Sequence, residues 1–331
     1  MGGSRATGNW LQHIRKRVDF ASIDAEAGRE VELLVTGPGA SRFVDVLAQA
    51  GAIEPPALRA CASLPDPSAL PAFARAAVMV AGDTATNPGL EAPRCGRPLY
   101  IVHPPGDASA QTSAAAPQRP TADAAATYTL SALTLSELHK HVLPDIVLAY
   151  AGLEIPLAAR IPAFRSVVAA RLTLGYAMSS LKIAGASALA DHIPLIGLIT
   201  GGIASAGDTI AITALQMRML LQIAACYGKK AEFARIIELL PVLGGGYGWR
   251  ALAREASGFI PIAGIAIKAG IAYAGTLVVG QAASYYYETG SKMPPHAISA
   301  LYREASERAR GTALQLATRA TGGRDQHRSG G

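Results

Sequence analysis

The spacing of apolar positions divides the chain into a strand-like first third and a helix-like remainder. Three short runs, Val31-Glu32-Leu33-Leu34-Val35, Ala76-Ala77-Val78-Met79-Val80-Ala81 and Pro98-Leu99-Tyr100-Ile101-Val102, each end in turn residues and read as buried strands. The first leads through Thr36-Gly37-Pro38-Gly39-Ala40-Ser41 into Arg42-Phe43-Val44-Asp45-Val46-Leu47-Ala48, a strand–turn–helix unit. Strands separated by helical or loop stretches predict a small α/β sheet with parallel strands over residues 30–135. Residues 106–126 are Ala/Ser/Pro/Thr-rich, bury little surface and read as a flexible loop within it.

Beyond Leu135 the periodicity is helical. Residues 136–150 predict one helix, and Ile161-Pro162-Ala163-Phe164-Arg165 opens another, with Pro162 in the first turn and Phe164, Val167, Val168 and Leu172 at helical spacing. Two long apolar segments follow, 192–226 and 259–287, separated by the hinge Gly244-Gly245-Gly246-Tyr247-Gly248. In the first, Asp208 reads as an N-cap and Gly228 as the residue past the C-terminus, with Lys229 and Lys230 beyond it. Thr209, Thr213 and Gln216 fall on one stripe and Arg218 and Gln222 nearly opposite, which leaves no wide lipid-facing surface. Met217, Met219, Leu220 and Leu221 read as core.

In the second segment, 259–281 is long enough to span a bilayer and is interrupted by Lys268 alone. Gly264, Gly270, Gly275 and Gly280 offer small surfaces for close helix contact. Tyr247 and Trp249 before it, and Tyr285-Tyr286-Tyr287 after it, stand where interfacial aromatics would. A last amphipathic helix is expected over 291–319, with Ile298, Leu301 and Tyr302 on its apolar side. The organisation expected is therefore a tail with a short helix (1–29), an α/β domain (30–135), a larger helical domain (136–319) and a disordered tail (320–331).

Composition sharpens this picture. The chain of 331 residues is 50% hydrophobic with a mean hydropathy of +0.25, yet only 6% aromatic, so its apolar content is mostly small and aliphatic side chains suited to close helix packing. The net charge of +6 favours an anionic surface. Acidic lipid fits better than nucleic acid, because no Lys/Arg run interleaved with aromatics is present. Cys61, Cys95 and Cys226 share no ligand spacing, which suits a reducing compartment. Residues 1–20 lack the apolar core of a secretion signal.

Charge also bears on topology. A two-span hairpin with a cytoplasmic N-terminal domain would place the loop between its spans outside, where Lys and Arg are scarce. That stretch instead carries Arg218, Lys229, Lys230, Arg235, Arg250 and Arg254, and both flanks are basic too. The pattern disfavours a simple hairpin and favours a peripheral or partly inserted bundle at the cytoplasmic face.

Candidate chemistry centres on the first turn. A phosphate-binding P-loop needs glycines so that backbone N–H groups cradle phosphate, a lysine for the β/γ-phosphates and a hydroxyl for Mg²⁺. Aligned on Gly37 and Gly39, this chain places Thr36 and Ser41 at the glycine positions, Arg42 at the lysine and Phe43 at the hydroxyl. D-x-x-G is absent. N-K-x-D is excluded, since the asparagines are Asn9 and Asn87 and neither precedes a lysine. Ser131-Ala132-Leu133-Thr134 matches the short S-A element of a guanine pocket. Gly37, Gly39, Ser41 and Arg42 are thus a degenerate candidate site for weak nucleotide or anion binding, with no catalytic set, cofactor or metal expected. His139 and His141, two residues apart, do not share a helix face and do not form a metal pair.

A resemblance adds to this. Ile193-Pro194-Leu195-Ile196-Gly197, Leu215-Gln216-Met217-Arg218-Met219 with Ile223-Ala224 and Tyr227-Gly228, the Gly244–Glu255 stretch, Ile260-Pro261, Gly275-Thr276 and Gly280 resemble the YcjF-type, GTPase-associated bacterial domain of unknown function, over roughly residues 153–288. The resemblance implies a helical, membrane-associated domain behind an Era-like GTPase domain, here in decayed form. The function expected is a non-catalytic, membrane-associated scaffold or adaptor with a pseudo-GTPase domain. The alternatives are an atypical nucleotide-binding switch and an integral pore or transport component. Protein partners and oligomeric state are left open.

Overall fold

The computed structural model describes residues 18–81, 97–104, 125–190, 203–239 and 264–308. By packing, these fall into two units, one formed by Ser22–Val168 with Ala225–Lys229 and the other by the remainder. The packing division thus falls at Val168, while the change of composition falls at Leu135.

The first unit is built on five parallel strands: β1 (Glu32–Thr36), β2 (Leu58–Cys61), β3 (Ala74–Val80), β4 (Leu99–His103) and β5 (Ala126–Thr129), in the order β2-β1-β3-β4-β5. This is a doubly wound order, and its topological switch lies between β1 and β3. The mixed α/β class and the three strands read from sequence are as expected. β1 is buried along its whole length, as a strand covered on both faces must be. On one face Leu34, Ala77, Leu99 and Ile101 pack with Leu70 and, partly buried, Cys61 at the end of β2 and Leu64 from the β2–β3 connection.

Six helices belong wholly or partly to this unit, besides the last two residues of the helix that ends at Cys226. They are α1 (Phe20–Ala27), α2 (Ala40–Ala48), α3 (Leu135–His141), α4 (Leu143–Ala149), α5 (Glu154–Arg160) and, after the 3₁₀ turn Pro162–Phe164, the start of α6 (Arg165–Ala190). The single helix expected over 136–150 is two, broken at Val142. Pro144 has no N–H to continue a hydrogen-bond ladder and instead opens the first turn of α4. Pro162 opens the 3₁₀ turn ahead of α6 rather than the first turn of α6 itself, where the sequence places it. Tyrosines tie these helices to the strands: Tyr150 donates its hydroxyl to the Glu32 carbonyl, Tyr100 to the Asp145 carbonyl at 2.8 Å, and Tyr128 to Asp145 Oδ2 at 2.6 Å.

The second unit is helical. It contains the rest of α6, most of α7 (Ile203–Cys226), α8 (Phe233–Leu239), α9 (Gly264–Thr289) and a helix, α10, over 295–308. Ala177, Leu181, Ala269, Tyr273, Ala274 and Ala305 form one core cluster, against which Met178, Leu277 and Tyr302 are partly buried. Met217, Met219, Leu220 and Leu221 are buried, as expected. Gly228 has φ of 72° just past α7 and fills the left-handed role expected of it. Asp208 does not cap α7, which begins at Ile203 and so places Asp208 within the helix. Ile298, Leu301 and Tyr302 are half-buried on α10. Among the described residues, no helix is long and apolar enough to cross a membrane.

The loop 106–124 and the tails 1–17 and 320–331 lie outside the described residues, as do the hinge Gly244–Gly248 and Trp249. Ala126, which the sequence places at the end of that loop, is the first residue of β5.

Candidate functional site

In open parallel sheets, ligands bind beyond the carboxyl ends of the strands at the topological switch. Here that place is the turn Gly37-Pro38-Gly39 between β1 and α2, beside the end of β3. The sequence candidates therefore stand where a doubly wound fold would put a site. Their geometry is that of a closed turn. Gly39 donates its N–H to the Val80 carbonyl at 3.1 Å, and Ala40 donates its own to Gly37 at 3.1 Å. Two of the N–H groups that a phosphate cradle would point outward are used inside the turn.

The glycines serve this closure. Gly37 has φ of 96°, and a Cβ there would lie 2.4 Å from the Val80 carbonyl oxygen. A Cβ on Gly39 would lie 2.6 Å from both the Ala81 carbonyl oxygen and Val80 Cγ1. Small residues let the turn press against the end of β3. Phe43, at the metal-hydroxyl position of the P-loop alignment, is fully buried and anchors α2. Ser41 and Arg42 are exposed on the first turn of α2, whose N-cap Gly39 supplies no side-chain bond.

The S-A element likewise has a structural occupation. Thr134 caps α3, its hydroxyl oxygen accepting from the Glu137 N–H at 3.3 Å, while Ser131 donates to Glu137 Oε2 at 3.0 Å. The T-x-x-E spacing that signals such a cap is visible in sequence and was masked by the guanine-pocket comparison. His139 Nε2 lies 2.7 Å from the Ala163 carbonyl oxygen. No cluster of metal-ligating side chains occurs among the described residues.

Two residues that the motif reading passed over hold the sheet edge. Arg59 on β2 meets the buried carboxylate of Glu32 on β1, with Nε 2.9 Å from Oε1 and a second contact at 3.2 Å. This two-pronged pair fixes β2 on β1. Cys61 and Cys226 are free thiols. Burial pushes the Cys226 thiol well above its usual range, with the Glu26 carboxylate adding to the effect and the Arg165 guanidinium opposing it. Arg165 also sits over the Tyr227 ring, 5.7 Å from its centroid.

The second group of sequence candidates lies on α9. Gly270, Gly275 and Gly280 are buried, and Gly280 faces Thr173 of α6. Lys268 and Gly264 lie in the first turns of α9. Two polar residues of α7 point into the bundle, while Arg218 is exposed: Gln216 Nε2 donates to Thr276 Oγ1 at 3.1 Å, and Gln222 Oε1 accepts from the Tyr176 hydroxyl at 2.8 Å. Thr276 Oγ1 also lies 2.9 Å from Ser180 Oγ, so α6, α7 and α9 meet through buried polar contacts. The chain matches no protein-family model, no curated protein and no solved structure.

Proposed function

We propose that the protein is a non-catalytic, membrane-associated scaffold or adaptor in which a degenerate GTPase-like unit serves as a structural module behind which a helical unit mediates association with anionic lipid. The observation that carries the non-catalytic half is the hydrogen bond from Gly39 N–H to the Val80 carbonyl at 3.1 Å, which uses a phosphate-cradling donor to seal the turn. The buried Phe43 in the place of a metal-binding hydroxyl supports it. Support for the membrane half comes from the basic stretches around both apolar segments and the net charge of +6.

Equilibrium dialysis against millimolar GTP or ATP with Mg²⁺ tests the first half. No retention is expected, and GTP hydrolysis lost in Arg42→Ala would overturn the reading. Membrane fractionation tests the second. The protein is expected with membranes and is expected to be released by alkaline extraction; recovery in the soluble fraction of a native lysate would remove the membrane assignment.

A further inference from the structure

We propose that one face of α6, formed by Arg171, Leu174, Gly175, Met178 and Lys182, docks on an anionic phospholipid surface. The proposal rests on the membrane reading above and names the surface responsible. At 100° per residue these five positions fall within an arc of about 100°, so they form one stripe along three turns. Arg171, Leu174, Gly175 and Lys182 are exposed, while Met178, inside the arc, is half-buried against the same core cluster on which Tyr302 packs.

Three features separate this stripe from an ordinary solvated face. Leu174 is 49% exposed, and among the described residues only it and Ile237 are large exposed hydrophobics. α6 carries Arg165, Arg171 and Lys182 but no Asp or Glu in its 26 residues, whereas water-facing helices usually intersperse both signs. A Cβ at Gly175 would meet nothing within 4 Å, so the backbone between the two cations is open to close approach.

Cations at both ends of an aliphatic patch match a lipid surface. Headgroup phosphates meet Arg171 and Lys182 while Leu174 enters the interface. The stripe offers neither the aromatic anchor nor the mixed polar rim of a protein-docking site. On the neighbouring helix over 295–308, the exposed charges are of both signs, Arg303 and Arg308 against Glu304 and Glu307, and Arg308 pairs with Glu304.

Cosedimentation of the full chain with phosphatidylglycerol–phosphatidylcholine vesicles, and with phosphatidylcholine alone, tests this. The unaltered chain is expected to bind the anionic vesicles more tightly, with affinity falling as salt rises. Arg171→Glu combined with Lys182→Glu is expected to lower the partition about tenfold or more, from the interfacial contribution of each basic residue. Leu174→Ser is expected to lower it several-fold, Ile237→Ser to leave it unchanged, and all variants to remain folded at the assay temperature by circular dichroism. If the unaltered chain binds and the α6 variants bind equally well, the α6 proposal falls and the membrane reading stands. If loss follows Ile237→Ser instead, docking lies on α8 and the α6 proposal falls likewise. If the unaltered chain binds neither vesicle, both fall.

Discussion

Gly280 of α9 approaches Thr173 of α6 so closely that a Cβ at position 280 would lie 2.3 Å from Thr173 Oγ1 and 2.5 Å from its Cγ2. Thr173 is itself buried, and its hydroxyl finds no hydrogen-bond partner among the described residues. The contact sets the separation of the two helices in the way small residues do wherever helices cross tightly. Gly280→Ala is therefore expected to destabilise the helical unit by about 1–3 kcal/mol through overpacking, despite the better helix propensity of alanine. Adding Thr173→Ala removes the two closest atoms but leaves the threonine Cβ position 2.9 Å away, so the double variant recovers only part of the loss. Urea denaturation of the single and double variants, followed by circular dichroism, measures the coupling; additive losses would show that the two residues do not constrain each other.

The turn after β1 makes an opposite pair of claims about neighbouring residues. Gly37→Ala meets both a φ of 96° and a carbonyl oxygen 2.4 Å away, and is expected to cost several kcal/mol, enough to unfold much of the sheet unit. Arg42→Ala, on an exposed position, is expected to stay within about 0.5 kcal/mol of the parent. Thermal melts of the two variants check this. GTP or ATP at millimolar concentration is expected to leave the parent's melting temperature unmoved, since a ligand that binds only the folded state would raise it.

Strands β1, β3 and β4 were legible because each is a run of apolar residues buried on both faces, such as Leu33-Leu34-Val35. β2 and β5 were not, and the reason is their place at the edges. Leu58-Arg59-Ala60-Cys61 is half-exposed and held by the Arg59–Glu32 pair, a contact between residues far apart in sequence. Ala126-Thr127-Tyr128-Thr129 alternates buried and exposed for only four residues beside a low-complexity stretch. The break at Val142 was available from Pro144 but was overridden by the apolar periodicity on either side. On α7, Gln216 and Gln222 are engaged inside the helical unit. Their partners, Thr276 and Tyr176, lie on other helices and leave no local trace. The candidate turn was found from its glycines, but their purpose was not, because it depends on Val80, which sequence spacing does not bring to Gly37.

Thr134 and Glu137 give a local claim that separates a structural from a ligand-binding use of the Ser131–Thr134 segment. Thr134 has extended backbone, φ −126° and ψ 157°, and accepts from the Glu137 N–H as an N-cap does. Thr134→Ala is expected to cost about 1 kcal/mol, and Thr134→Ser to restore most of it. Equilibrium denaturation reads the difference. Equal stability of the alanine and serine variants would remove the cap from the account.

Alkaline pH is expected to destabilise the fold through groups whose protonated forms it shelters. Burial, reinforced by the Glu238 carboxylate, raises the Tyr287 phenol from 10.0 to about 12. Tyr128 is raised by burial and by its hydrogen bond to Asp145, and Tyr150 by burial, which outweighs the backbone hydrogen bonds that oppose it. A raised folded-state value means that the unfolded chain releases its proton first. The stabilisation is therefore complete below pH 10.0 and, for Tyr287, is lost as pH rises from there to about 12. Cys226, raised from 9.0 by burial, begins the decline earlier. Denaturant midpoints measured across this range should fall with pH, and Tyr287→Phe should flatten the part of the slope between pH 10.0 and about 12. Tyrosinate absorbance of the folded protein supplies the second readout. Of the 11 tyrosines, Tyr287, Tyr128 and Tyr150 should titrate late or only on unfolding, and ionisation of all of them near pH 10.0 in the folded state would contradict the buried geometry.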